Sequence, residues 1–411
     1  MLDGHFNEWL NLLVRWLHII TGIAWIGASF YFNWLENNLV RSGQQKPGIA
    51  GYLWAIHGGG IYRLEKYQTA PATMPETLHW FKWEAYTTWL TGMALLFVQY
   101  YLNADLYLID PQVMALAPWQ AVAIGLGVIV ASWVVYDVLS SQLAHKPMLL
   151  AIVGLALLTV AAYGLTHVFS GRGAFIHVGA MIGTAMVGNV AHVIMPSQRA
   201  LLAAVAQGDP VDPKYGAKAL LRSRHNNYLT LPILFIMISN HYPSTYGGTW
   251  NWAILMALVV ISASARHYFN IRHKPEKATW ILPLAALALL SLAWVTQPAA
   301  YVAPPVAPSQ AVNTAVVPSA ALSEDQPTNL AAQAFAVIQT RCANCHSAQP
   351  SSPMFSAPPA GVVLDTPQQM ETQKARIYQR SVVLKTMPLA NMTQMTEPER
   401  SLIGDWFRSQ P

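Results

Sequence analysis

Two things are scarce in this 411-residue chain: charge, at 10% of residues, and cysteine, at two residues. So little charge excludes a chain whose surface faces water over most of its length. The net charge of +5 lies mostly in short connecting segments and does not argue for a nucleic-acid partner. No internal repeat, P-loop or dinucleotide-binding glycine fingerprint is present in the sequence, so the phosphate-cradling chemistries have no carrier here. What fills the chain instead is apolar bulk, 54% hydrophobic residues with 15 Trp and 17 Tyr. That is the composition of a membrane protein.

Apolar runs near Trp9 to Leu35, Phe81 to Leu102, Pro118 to Leu139, Pro147 to Val168, Phe175 to Ile194, Tyr228 to Asn240, Trp250 to Phe269 and Trp280 to Val295 give eight candidate spans. The sixth is short and holds Pro232, so it is expected to begin within Ala217 to Asn227 and to carry polar groups inward. The first has no basic leader and is too long for a signal segment, so it reads as an uncleaved helix. Arg41, Lys46, Arg63, Lys66, Lys146, Arg199, Lys214, Lys218, Arg222, Arg224, Arg272, Lys274 and Lys277 fall in alternate connections, and the intervening ones hold only Arg172. This bias puts both termini outside. The expected fold is all-α: a polytopic membrane helix bundle of about eight helices over residues 1–298, an Ala/Pro-rich linker over 299–326, and a class I cytochrome c domain over 327–411.

The last of these rests on the two cysteines, which stand in Cys342-Ala343-Asn344-Cys345-His346. C-x-x-C-H is a c-type haem attachment pattern: two thiols add across the haem vinyl groups and the histidine ligates iron. A disulfide, a thioredoxin-like pair or half a zinc site fits less well. A redox dithiol does not require the following histidine, and zinc would need further ligands where His346 is the only histidine after His273. Leu330, Ala334, Phe335, Val337 and Ile338 form one apolar helix face leading into the motif. Thr366-Pro367-Gln368-Gln369 and Thr396-Glu397-Pro398-Glu399 read as capping boxes. Between them Met387 is the expected distal iron ligand, with Met392 and Met395 as packing alternatives. Haem c is attached on the periplasmic side of a bacterial inner membrane, the side to which the charges assign the C-terminus.

Within the membrane runs, an ionisable residue is a functional candidate by default. On the outer side, His18, His167 and His177 are candidates for a second, non-covalent haem b. On the inner side stand His57-Gly58-Gly59-Gly60, Lys82, Glu84, His192, Gln198, Arg199, His225 and Asn226. Glu84, about one turn inside, needs a partner such as Lys82, His192 or His225. Arg222 and Arg224 read as snorkelling cations.

The first helix, His57 to Gly60, His79 to Tyr86, Gly188 to Gln198, His225 to Pro232 and Ser239-Asn240-His241-Tyr242, followed by a tethered C-x-x-C-H domain, resemble the membrane-bound, cytochrome c-linked urate oxidase of purine-degrading bacteria. The resemblance covers nearly the whole length. It implies oxidation of urate to 5-hydroxyisourate, with electrons leaving through haem c to a respiratory-chain acceptor such as a cytochrome c or terminal oxidase. It does not say which membrane residues bind urate. Chemistry suggests a cation for the monoanion, amides for the ring edges and a base: Arg199 or Lys82 for the charge, Gln198, Asn226 and His57 nearby, and Glu84, His192 or His225 for the proton. A haem count of one would instead favour the outer half, near His18, His177 and Arg172. A membrane-tethered electron carrier and a quinol-oxidising subunit are the rival readings. The pattern around His18 is also similar to small helical membrane proteins that handle porphyrins.

Overall fold

The computed structural model describes residues 4–43, 46–71, 73–110, 113–272, 278–296, 326–352, 358–359, 362–383 and 385–409. The expected linker lies almost wholly outside these. Contacts separate a unit of Glu8–Leu292 from a second one whose C-terminal part begins at Ala293.

The first unit is built on α1 (Gly4–Asn38), α2 (Trp83–Leu96), α4 (Pro118–Gln142), α5 (Pro147–Thr166), α6 (Gly171–Gly188), α8 (Pro213–Ser239), α10 (Asn251–Ile271) and α11 (Ile281–Val295). Short α3 (Ala104–Tyr107), α7 (Met195–Gln207) and α9 (Pro243–Tyr246) fill the connections. Among the described residues five helical stretches are long and apolar enough to cross a membrane: Trp9–Asn38, Pro118–Gln142, Pro147–Thr166, Gly171–Gln207 and Asn251–Ile271. The other three expected places hold α2, the polar α8 and the short apolar α11. Two helices continue into π-helical turns, α2 through Phe97–Tyr101 and α6 through Asn189–Ile194.

Helix α6 is the centre of the bundle and packs against α2, α4, α5 and α8. Its small residues allow this. A Cβ on Gly179 would come within 2.7 Å of Ile236, and one on Gly188 within 2.5 Å of the Trp133 ring. Phe169, Phe175, Val178, Leu108, Ile236 and Leu255 form the surrounding core. Large apolar side chains such as Val130 and Val134 on α4, Ile152 and Val160 on α5, and Leu287 and Leu290 on α11 stay exposed, which suits contact with lipid.

Two expectations need correction. The fold is not all-α, because Ile49–His57 (β1) and Gly60–Tyr67 (β2) form an antiparallel hairpin with Leu53 opposite Leu64 and His57 opposite Gly60. Gly58 and Gly59 take φ of +56° and +79°, the left-handed pair that a two-residue hairpin turn demands. The glycines of His57-Gly58-Gly59-Gly60 thus serve the backbone. Lys66 and Arg41 both pair with Glu36 near the end of α1, tying the hairpin to it. The sixth helix also begins earlier than expected, at Pro213, where the Asp212 side chain accepts from Lys214 N–H. The early start brings Arg222, Asn226 and Asn227 into the bundle, all fully or nearly buried.

The second unit contains α12 (Gln326–Arg341), α13 (Pro367–Thr372), α14 (Lys374–Ile377) and α15 (Glu397–Arg408). Thr366 and Thr396 make the capping boxes that the sequence predicts, with Gln369 and Glu399. Helices α12 and α15 pack together over Ala334, Ile338, Ile403 and Trp406, joined by Leu364, Met370, Ile377 and Met395.

Candidate functional site

In the second unit the chemistry gathers where α12 ends. Cys342 N–H donates to Ile338 O, and His346 N–H donates to Cys342 O at 2.9 Å, so the motif is wound into one tight turn. Both thiols are free and half-buried, and burial pushes the Cys342 thiol up to about 12. His346 Nδ1 lies 3.1 Å from Val362 O. Donation there fixes the tautomer and leaves Nε2 as the ring's lone-pair nitrogen. Burial lowers the His346 pKa, favouring the neutral imidazole that a metal requires. The indole N–H of Trp406 is buried without a partner among the described residues. These features fit a covalent haem c held by Cys342, Cys345 and His346. Among the distal candidates Met392 is 47% exposed and Met395 belongs to the core. Met387 is held at both backbone groups, by Arg380 O and by the Arg400 guanidinium.

In the first unit the inner candidates divide into three groups. Glu84 Oε1 lies 3.3 Å from His79 Nε2, so the partner is His79 rather than Lys82, His192 or His225. Its Oε2 is buried without a partner. Lys82 Nζ stands 5.8 Å from the ring centroids of both Trp80 and Trp83. Next to it a cavity of about 350 Å³ is walled by Trp83, Tyr86, Trp89, Trp133, Gly188 and His192, among others. Tyr136, deeper between α4, α6 and α8, begins a closed network. Its hydroxyl meets His225 Nδ1 at 2.9 Å and accepts from Asn189 Nδ2 at 2.8 Å. Asn189 also donates to Asn226 Oδ1, while Asn226 Nδ2 donates to Met186 O. Arg222 then binds Asn189 Oδ1, Asp137 Oδ1 and Ser141 Oγ.

This closure changes the expected roles. Asn226 is engaged at both ends of its amide, by Asn189 and by Met186 O, which ties it into the network. Gln198 and Arg199 lie exposed on α7 without a hydrogen bond or ion pair among the described residues, and His57 is exposed at the hairpin tip. None of these three joins the cluster. Of the inner residues, His192 lines the cavity, while Lys82 forms no ion pair and Glu84 Oε2 has no partner among the described residues. Arg222, read as a snorkelling cation, is 1% exposed and is the hub of the network.

A second polar centre lies at the other end of the bundle. Arg172 Nε donates to Tyr100 OH at 3.1 Å, and Tyr100 OH donates to Asn240 Oδ1 at 2.9 Å. The Arg172 guanidinium lies over Tyr107, 4.8 Å from its centroid. Arg15 on α1 is held by Asn11 Oδ1, and Asn11 in turn donates to Gln99 Oε1. Arg15 is within electrostatic range of Arg172, Tyr100 and Tyr107.

Residues 4–297 match the family described as Urate oxidase N-terminal. The chain belongs to this urate oxidase family. No curated protein and no solved structure matches it. The membership makes it a urate-oxidase-related protein with urate-linked oxidation as its activity class, and it covers the first unit alone.

Within this urate oxidase unit the three outer histidines make separate contacts. His18 Nδ1 shares Thr88 O and Thr91 Oγ1, each at 3.0 Å. His167 Nδ1 bonds Tyr163 O, one turn back on its own helix. His177 has both ring nitrogens engaged, Nδ1 with Gly173 O and Nε2 with Tyr101 OH, and is completely buried. His177 thus has no ring nitrogen left for a haem b iron, whereas His18 and His167 each keep Nε2 without a partner among the described residues. The sequence reasoning also passed over Arg15, Tyr100, Tyr136, Asp137 and Arg266. For Arg15 and Arg266 a signal existed, an arginine inside an apolar run.

Proposed function

We propose that the chain oxidises urate to 5-hydroxyisourate in its N-terminal unit and disposes of the electrons through a haem c carried by its C-terminal unit. The observation that carries this reading is the joining, in one chain, of a urate oxidase family domain to a C-x-x-C-H turn whose histidine has Nδ1 occupied and Nε2 open. Urate monoanion plus water gives 5-hydroxyisourate, one proton and two electrons. The bound haem supplies a one-electron acceptor, and a thioether ligand from Met387 would raise its potential. Cys342 and Cys345 tether it, Val362 O orients His346, and Arg400 braces the Met387 backbone. The apolar helices of the first unit would place that oxidation in a bacterial inner membrane, with the C-terminal unit in the periplasm.

An anaerobic visible spectrum of the oxidised, purified protein tests this. Adding urate is expected to reduce the haem c band, xanthine is not, and Cys342→Ala is expected to abolish the covalent haem signal. A band reduced by dithionite or by quinol but not by urate would instead make the chain a tethered electron carrier or a quinol-oxidising subunit.

A further inference from the structure

The outer polar centre has a composition that the rest of the bundle lacks. Arg15 and Arg172 are both half-buried at this end, linked through Asn11, Gln99 and its neighbour Tyr100, and no ion pair of either with a carboxylate is formed among the described residues. Four acceptors of the cluster are already engaged. Asn11 Oδ1 receives Arg15, Gln99 Oε1 receives Asn11, Asn240 Oδ1 receives Tyr100, and Tyr100 OH receives Arg172. What is unused is all donor: Nη1 of Arg15, both Nη groups of Arg172, and the amide nitrogens of Gln99 and Asn240 have no acceptor among the described residues. Two unpaired cations in low dielectric are costly unless a ligand brings charge.

We propose that Arg15 and Arg172 form a clamp for a planar, acceptor-rich monoanion, the urate monoanion if the function above holds. The inference rests on that reading and names where its substrate is held. Urate matches the unused groups, because it carries three carbonyl oxygens and one negative charge and needs donors along its edges. The rings of Tyr100 and Tyr107 pack edge to face, 6.2 Å apart at 62°, and the half-buried Tyr107 beside Arg172 gives the site one aromatic wall. Guanidinium forks suit a planar anion better than a point cation would. The charge bias of the connections assigns this end to the outer side, so substrate would reach it from there.

The test is equilibrium dialysis of radiolabelled urate against full-length protein, reduced with dithionite so that no turnover occurs, in phosphatidylcholine nanodiscs. Wild type and Lys218→Gln, an exposed cation on α8, are expected to bind equally. Arg15→Gln and Arg172→Gln should each weaken binding roughly tenfold or more, and Arg172→Lys, which keeps the charge and loses the fork, should fall between. Unchanged haem content and circular dichroism show that the variants fold. Urate binding retained in both glutamine variants would overturn the clamp while leaving the urate reading intact. Absence of binding by wild type would sink the urate reading itself, and the clamp's assigned ligand with it. Displacement of bound urate by equimolar inorganic phosphate would reassign the clamp to phosphate groups such as lipid headgroups.

Discussion

The two ends of the N-terminal bundle both carry arginine, yet they treat it differently. At the inner end Arg222 is buried and meets Asp137, Asn189 and Ser141, and of the amides around it Asn189 makes three bonds and Asn226 two. At the outer end Arg15 and Arg172 are held by one edge, and their remaining donors face no acceptor in the described chain. A closed network can do little but hold helices together, since any ligand would have to break an existing bond. An open one is finished only by something that is not part of the chain. Polar residues within the apolar bundle therefore sort by what they have left over, more than by how many they are.

Substitution can break this contrast, and the largest effect should be on stability at the inner end. Arg222→Ala strands Asp137 and the Asn189 carbonyl, and is expected to cost about 3–5 kcal/mol, read as a fall in the thermal midpoint of detergent-solubilised protein. The outer arginines should barely move that midpoint, so equal losses in Arg172→Gln and Arg222→Ala would erase the distinction. Asn189→Ala removes bonds to Tyr136, Asn226 and Arg222 together, and about 2–3 kcal/mol is expected on the same scale. Gly188→Ala, in the same helix, presses a methyl against the Trp133 ring. A loss of about 1–3 kcal/mol and a smaller cavity beside His192 should follow, seen in the midpoint and in tryptophan fluorescence.

The smallest expected effect belongs to the C-terminal unit, where a paired charge can be opened by acid alone. Burial works against ionised Glu399, but the Thr396 N–H and the Arg341 guanidinium outweigh it and hold its pKa below the usual value. The folded form therefore binds fewer protons than the unfolded one. The stability this gives is present above the unfolded glutamate pKa and is lost as pH falls through the folded one. Glu399→Gln should flatten that part of an acid melt followed by circular dichroism, and an unaltered profile would remove Glu399 from the account.

Much of the architecture was legible before any coordinates. Apolar runs located the main helices of the first unit, five of them in stretches long and apolar enough to cross a membrane among the described residues, and the two capping boxes marked α13 and α15 through bonds that are local in sequence. The hairpin was not legible as such, since Gly58 and Gly59 resemble a ligand-cradling loop as readily as a turn. The polar network was hidden for a different reason. Arg222, Asp137 and Asn189 are distant in sequence, and nothing local distinguishes an arginine that snorkels from one that meets an aspartate across two helices. Lys82, Glu84 and His192 were readable as ionisable groups in apolar company, whereas the saturation of Asn226 depends on neighbours that only the packing supplies.

The π-helical turn at Phe97–Tyr101 has a consequence for the lengths this chain tolerates. Its wide turn lets adjacent Tyr100 and Tyr101 both face inward, one toward Arg172 and Asn240 and the other toward His177. Deleting one residue there would restore an ordinary helix, whose narrower turn has room for one fewer inward-facing side chain. Tyr100 and Tyr101 could then no longer both keep their partners, so insertions and deletions that a surface loop absorbs without harm should be excluded from these five residues.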